Sequence, residues 1–426
     1  MNTKRIEPIS QPLNAVVTPP GSKSITNRAF IIAALAQGES NLSGVLDSDD
    51  TRYMRQALQI LGVDIQQDTA ACTARIQGCG GTFPAKSGEL FLGNSGTSIR
   101  FLTAAVIHSS GCFTLDGIER MRHRPIGDLV DALKQWGVDI SYLNETGYPP
   151  IKVNGSRRGG KISVAGNISS QYLSALMMAA VGLENDTIIE VSGELVSLPY
   201  VTMTSAVMRA FGAEITQTGD AAFFVPAAQR YQGNQYVIEP DASAASYFFA
   251  AAAIASGKIR VQGLNRNALQ GDIHFVDCLE KMGCQIEEDA YGITVERNGA
   301  LHGIDIDMRN ISDTAQTLGV TALFADSPTV IRNVANMRVK ETDRISALCS
   351  QLRKFGALVE EYPDGLKIIP LPTARYRGAR IEVFDDHRMA MSFALAGLKI
   401  PGVEIENPEC TAKTFPDFFK VLESLR

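Results

Sequence analysis

The sequence predicts an α/β protein of two similar domains, each made of three repeated βαβαββ units around buried parallel helices. Two series of segments and the strands between them carry this prediction. In the first series "ALQILGVDI", "ALKQWGVDI", "VMRAFGAEI", "CLEKMGCQI" and "QLRKFGALV" each run from apolar residues at helical spacing through a glycine into a strand-like start. Their glycines, Gly62, Gly137, Gly212, Gly283 and Gly356, fall 75, 75, 71 and 73 residues apart. In the second, alanine-rich runs begin at Asn27, Ser98, Ser170, Ala244, Thr314 and His387, spaced 71, 72, 74, 70 and 73 residues. So even a period marks repeated supersecondary units.

Each unit reads in the same order. The alanine-rich run, such as "AASYFFAAAAIA" from Ala244, is apolar almost all round and predicts a buried helix. A β-like segment such as "GKIRVQGL" follows, then a more amphipathic helix that ends at the series glycine, the usual left-handed cap. Alternating segments such as "YGITVER" then read as strands. The sixth unit stops at "FPDFFKVLESLR", inside its second helix, and the leading "RIEPISQPLNAVVTPP" is expected to supply its closing strands. The chain then crosses between domains near Pro20 and near Pro240, giving one discontinuous domain, residues 1–20 plus 241–426, and one inserted domain, residues 21–240.

Composition limits the partners. The 426 residues are 45% apolar and 20% charged, as in an ordinary globular protein, and the net charge of -6 does not suit nucleic acid. The longest apolar run is too short to span a bilayer, and "MNTKRIEPISQP" lacks the apolar core of a signal peptide, so a cytoplasmic location and no membrane partner are expected. Seven cysteines without a C-x-x-C pair read as reduced fillers, and five histidines with no metal-ligand spacing argue against a metal site.

The polar residues gather at the starts of the alanine-rich helices. "TPPGSKSITNRAF" lacks the first glycine of a phosphate-binding P-loop, since Val16 stands there, yet a serine-rich turn that opens a helix favours anions. The six starts carry Lys23, Ser24 and Arg28; Asn94, Thr97 and Arg100; Ser169, Ser170 and Gln171; Asp241 and Ser243; Asp313; and Asp386, His387 and Arg388. If the repeats fold alike, these N-termini converge on one surface per domain, which favours a polyanionic small ligand. Loops add Arg122, Arg124, Arg338, Lys340, Arg344 and Lys413, with Asp49, Asp50 and Glu341 among them. Singly, each charge reads as a solvated turn or a helix pair; in repeat-equivalent places, acids beside cations read as proton-transfer chemistry.

The stretches "PGSKSITNRA", "LDSDDTRYM", "LGNSGTSIR", "RMRHRPIGDLVDAL", "SSQYLSALMM", "VSLPY", "GDI" at Gly271, "VKETDR", "DDHRMAM" and "CTAKTFPDF" resemble the 5-enolpyruvylshikimate-3-phosphate synthase family along essentially the whole chain. The resemblance implies the enolpyruvyl transferase fold and an enzyme without metal or organic cofactor. It implies transfer of the enolpyruvyl group of phosphoenolpyruvate to the 5-hydroxyl of shikimate 3-phosphate with release of phosphate, a step of aromatic amino acid biosynthesis. A monomer is expected.

By the same resemblance, Lys23 is similar to the family lysine that touches both substrates, and Ser24 and Arg28 to the pair that holds the shikimate carboxylate. Ser169, Ser170, Ser197, Tyr200, Asn336 and Lys340 resemble the groups that bind shikimate 3-phosphate, with Gln171 between the substrates. Asn94, Gly96, Arg124, Arg344, Arg388 and Lys413 resemble the phosphoenolpyruvate set. Asp313 resembles the acid that binds the 5-hydroxyl and takes its proton; Glu341, with Lys23, resembles the group that gives a proton to the methylene carbon and later removes one. The residues leave open which acid performs which transfer. Ser95 and Phe101 stand where alanine and proline are usual, and Leu198 and Thr202 where lysine and aspartate are common. The related transferases that act on UDP-N-acetylglucosamine use a loop cysteine; Cys112, the only candidate, instead opens the strand-like "CFTLDGI" twelve residues before Arg124.

Overall fold

Alanine-rich segments with almost no polar face form helices that other elements surround on all sides. The computed structural model describes residues 2–167, 169–219 and 221–425. In it the second series becomes the helices Lys23–Leu35, Gly96–Ala105, Ser170–Ala180, Ala242–Ala255, Ala315–Thr321 and His387–Ala396. Every residue of the Ala242, Ala315 and His387 helices is buried, because short side chains let neighbours approach from every direction. The few polar groups inside satisfy one another: Ser246 Oγ lies 3.3 Å from Thr317 Oγ1, which lies 3.3 Å from Ser392 Oγ, one hydroxyl from each helix.

The first series becomes helix ends. Gly62, Gly137, Gly212, Gly283 and Gly356 have φ of 92°, 78°, 82°, 102° and 95°, the left-handed conformation that a side chain would strain. A strand begins shortly after each, at Asp64, Asp139, Thr216, Gln285 and Leu358.

Among the described residues the strands form six sheets, five of four strands and one of three. In four of the four-stranded sheets the first strand in sequence pairs parallel with the second, the second antiparallel with the fourth, and the fourth antiparallel with the third; in the remaining sheet the parallel strand is Gln235–Val237, last in sequence. Ser87–Phe91, Cys112–Asp116, Asp139–Tyr142 and Ile151–Asn154 are one such set.

The leading segment behaves differently from its expectation. Only Thr3–Ile6 closes the sixth sheet, antiparallel to Val403–Glu406. Leu13–Val17 instead opens the fourth sheet, parallel to Gly257–Gln262, and Gln235–Val237 opens the first, parallel to Glu39–Ser43. Each crossing thus carries a helix away from the strand that precedes it in sequence. The described chain accordingly forms two compact units, Met1–Pro20 with Glu239–Arg426, and Gly21–Ile238, called here discontinuous and inserted. No helix among the described residues is long and apolar enough to cross a membrane. All seven cysteines are free; Cys278, Cys284 and Cys349 fill the core, whereas Cys72 is exposed.

Candidate active site

In the inserted unit three central helices begin with serine caps. Ser22 Oγ accepts from the Ile25 amide at 3.4 Å, Ser95 Oγ from Ser98 at 3.4 Å, and Ser169 Oγ from Gln171 at 3.2 Å. A neutral cap satisfies an N–H yet leaves the positive helix end uncompensated. Lys23, in the first turn, lies 3.6 Å from the buried Asp50 carboxylate. Arg124 Nη1 donates to the Asn94 carbonyl at 3.0 Å and to Asn94 Oδ1 at 3.2 Å. Gly96 is where these guanidinium groups meet the backbone: a Cβ there would lie 2.4 Å from Arg124 Nη2 and 2.7 Å from Arg100 Nη1. Arg100 donates to Gln171 Oε1 at 2.8 Å, and Gln171 Nε2 donates to Thr97 Oγ1 at 3.2 Å. Arg100 therefore fixes the amide of Gln171.

Arg28 is 1% exposed. Its Nε donates to Thr204 Oγ1 at 2.7 Å, Nη1 to the Ser24 carbonyl at 2.8 Å, and Nη2 to Ser174 Oγ and the Tyr200 carbonyl, both at 3.3 Å. Four of its five N–H groups are so engaged. The Phe101 ring covers it, with its centroid 5.0 Å from the guanidinium carbon. Burial pulls its pKa down to about 10, against the opposing pull of Tyr200 and Tyr236. Ser197, 6% exposed, adopts the left-handed conformation, φ 57°, as it leads into the Leu198–Ala210 helix, so its place is set by its surroundings.

The discontinuous unit holds a denser arrangement, with aspartates at the helix starts. Asp241 Oδ1 accepts from the Ala244 amide at 2.8 Å and Asp386 Oδ1 from Arg388 at 2.9 Å. Asp313 accepts from three cations: Lys340, Arg344 Nη1 at 3.3 Å, and Arg388 Nη2 at 2.8 Å. Arg344 also clamps Asp386, at 2.6 and 3.2 Å, and reaches Glu341 Oε2 at 2.9 Å, whose other oxygen meets Lys413 Nζ at 2.8 Å. Burial alone would raise the Asp313 carboxyl, but Arg388, Lys340 and Arg344 together hold it well below the ordinary carboxylate value. Burial lowers Lys340 although Asp313 opposes it, and burial beside Lys413 and Arg388 keeps His387 neutral.

Asp313, Lys340, Glu341, Arg344, Arg388 and Lys413 thus come together, and Asn336 Nδ2 joins their edge by donating to Ser312 Oγ at 3.3 Å. Two loop cations do not join a site. Arg122 is paired with Asp116 at 2.6 Å, and Arg338 with Asp343 at 2.7 Å and Glu361 at 3.1 Å. Sequence reasoning missed Asp272, a buried acid that accepts from Ser243 Oγ, itself 3.4 Å from Arg388 Nη2. Burial, and then the charge of Asp313, push Asp272 up to about 6. An aspartate inside the "QGDIHF" turn was the signal present.

The profile of the EPSP synthase family, 3-phosphoshikimate 1-carboxyvinyltransferase, matches residues 8–422. Relatives called 3-phosphoshikimate 1-carboxyvinyltransferase include one from Edwardsiella ictaluri, 50% identical over 408 residues and covering 95% of each chain. Another, from Nostoc sp., is 48% identical over 420 residues, 98% of each chain. A solved EPSP synthase from Acinetobacter baumannii superposes with a TM-score of 0.83 at 25% identity, over 99% of this chain and 98% of that one. The chain therefore belongs to the EPSP synthase family, with its enolpyruvyl transferase fold.

Proposed function

We propose that this chain transfers the enolpyruvyl group of phosphoenolpyruvate to the 5-hydroxyl of shikimate 3-phosphate and releases phosphate. The observation that carries the reading is Asp313 gripped by Lys340, Arg344 and Arg388, with the Glu341–Lys413 pair beside it. In an acidic chain, so many cations around a few acids suit two phosphates and two carboxylates.

In this mechanism Asp313 takes the proton of the 5-hydroxyl as its oxygen attacks the enol carbon of phosphoenolpyruvate. Glu341, with Lys23, gives a proton to the methylene carbon, leaving a tetrahedral intermediate. The same Glu341–Lys23 group then takes a proton back from the new methyl group, which re-forms the double bond as the C–O bond to phosphate breaks and phosphate leaves with the bonding pair. Arg124, Arg344, Arg388 and Lys413, with Asn94, Gly96 and Gln171, hold phosphoenolpyruvate and balance the charge of departing phosphate. Ser169, Ser170, Ser197, Tyr200, Asn336 and Lys340 hold shikimate 3-phosphate, with Ser24 and Arg28 at its carboxylate. A two-pronged grip on that carboxylate requires Arg28 to trade at least one of the four bonds described above. The two domains are residues 1–20 with 241–426, and 21–240.

Phosphate release measured with both substrates tests the reading. Release that requires shikimate 3-phosphate supports it; release with UDP-N-acetylglucosamine instead, or none, overturns it. The enzyme acts as a cytoplasmic monomer needing no metal or organic cofactor, which light scattering and a chelator control check.

A further inference from the structure

Two successive side-chain-bearing residues, Phe384 at φ 54° and Asp385 at φ 52°, adopt the left-handed conformation immediately before Asp386. Two such residues in succession make a tight turn that its own bond closes, the Asp386 amide donating to the Val383 carbonyl at 2.9 Å. Asn407 tethers this turn from outside, its Nδ2 donating to Asp385 Oδ1 at 3.0 Å. Asn407 is itself left-handed, φ 43°, and its amide donates to the Asn2 carbonyl at 3.0 Å. It also leads directly into the 3-10 turn Pro408–Lys413.

The contact therefore joins the turn that presents Asp386 and Arg388 to the turn that presents Lys413. On the far side the same two turns are joined by ion pairs, from Asp386 through Arg344 and Glu341 to Lys413. The Asp385–Asn407 side-chain bond closes this ring on the exposed side. Ion pairs alone exchange partners when an anion arrives, whereas a bond that no ligand touches does not.

We infer that Asp385 and Asn407 are a positioning pair that fixes the spacing of Lys413 from Arg344 and Arg388, and so sets the fit of the anion these cations bind. The inference rests on the proposed function, in which that anion is phosphoenolpyruvate. Asn and Asp both tolerate the left-handed conformation, so exchanging them alters the bond and spares the backbone.

The test is steady-state kinetics and melting of the full chain for N407D and for the reciprocal double variant D385N/N407D. N407D sets two carboxylates together and should raise KM for phosphoenolpyruvate about 5-fold, an exposed bond being worth little more, with KM for shikimate 3-phosphate unchanged and Tm only slightly lowered. The double variant restores a donor and an acceptor and should bring KM back to within about 2-fold of wild type. An unchanged KM in N407D, or a raised KM that the double variant does not rescue, overturns the pair while leaving the proposed function standing. A wild-type protein that releases no phosphate overturns both.

Discussion

Asp313→Asn separates binding from chemistry, because the residue competes for the cations that the substrates need. The asparagine keeps the shape and removes the charge. In the free protein Asp313 holds Arg388 at 2.8 Å, Arg344 at 3.3 Å and Lys340, and an incoming anion must take these donors from it. A charge-assisted bond contributes about 1.5–3 kcal/mol and a neutral one about 0.5–1.5 kcal/mol, so each exchanged bond competes about 1 kcal/mol less in the variant. Anion affinity should stay the same or tighten by up to about 10-fold, while loss of the base slows turnover by about 10²–10⁴. Titration calorimetry with shikimate 3-phosphate and phosphate-release kinetics read the two effects separately. Turnover within about 3-fold of wild type would refute the role of base; lost binding with normal turnover of what binds would make Asp313 a binding group instead. The pH sign also follows. Its carboxyl lies well below 3.8, so its stabilising ion pairs are fully present above that value and fail only as pH falls further, toward the folded value.

Lys23→Met should lower turnover by about 10²–10³ and stability far less, since a cation facing two anions acts mainly on developing charge; an unchanged rate contradicts its assignment. Gly96→Ala would place its Cβ 2.4 Å from Arg124 Nη2, so Arg124 must move, and KM for phosphoenolpyruvate should rise about 10-fold with a smaller change in kcat. An unaltered KM would mean that Arg124 does not hold that substrate. Asp272, pushed up from 3.8 to about 6, gives a stabilisation that is present below 3.8 and lost as pH rises through 6. Asp272→Asn removes that loss, at most about 3 kcal/mol, so its Tm should overtake wild type above pH 6 and converge with it near pH 4; parallel curves would refute the shift.

Much of this was legible in the sequence because periodicity is a direct consequence of repeated packing. The series glycines sit where a helix must end, and only a left-handed residue lets the chain turn there, so Gly62 through Gly356 could be read one by one. Cations and acids at helix starts were legible for a similar reason: a helix N-terminus is a fixed place with a fixed field. Strand partners were not. "LNAVV" alternates in the same way whether it closes the sixth sheet or opens the fourth, and only tertiary pairing with Gly257–Gln262 decides. Arg28 was legible as a cation but not as a buried one, because Thr204 and Ser174, which hold it, lie 176 and 146 residues away. Asp385 was hidden for a different reason: nothing in "DDHR" tells which aspartate caps the helix and which is turned out to Asn407.

The two units use the same helix ends in opposite electrostatic ways, although they are repeats of one plan. In the inserted unit Ser22, Ser95 and Ser169 are uncharged caps, and Arg100 and Arg124 rest on carbonyl and amide oxygens. An anion arriving there adds to a field that the caps leave positive. In the discontinuous unit Asp241 and Asp386 cap the helices with charge, and Arg344, Arg388, Lys340 and Lys413 are each already held by a carboxylate. An anion arriving there must replace one counter-charge with another, and the displaced Asp313 carboxylate then loses the cations that hold its proton off. A carboxylate bound to three cations is a poor base. Once an anion takes those cations, its basicity rises, so anion binding itself readies the acid–base groups. The aspartates at its helix starts give this unit that coupling, whereas the inserted unit's serine caps do not ionise near neutral pH.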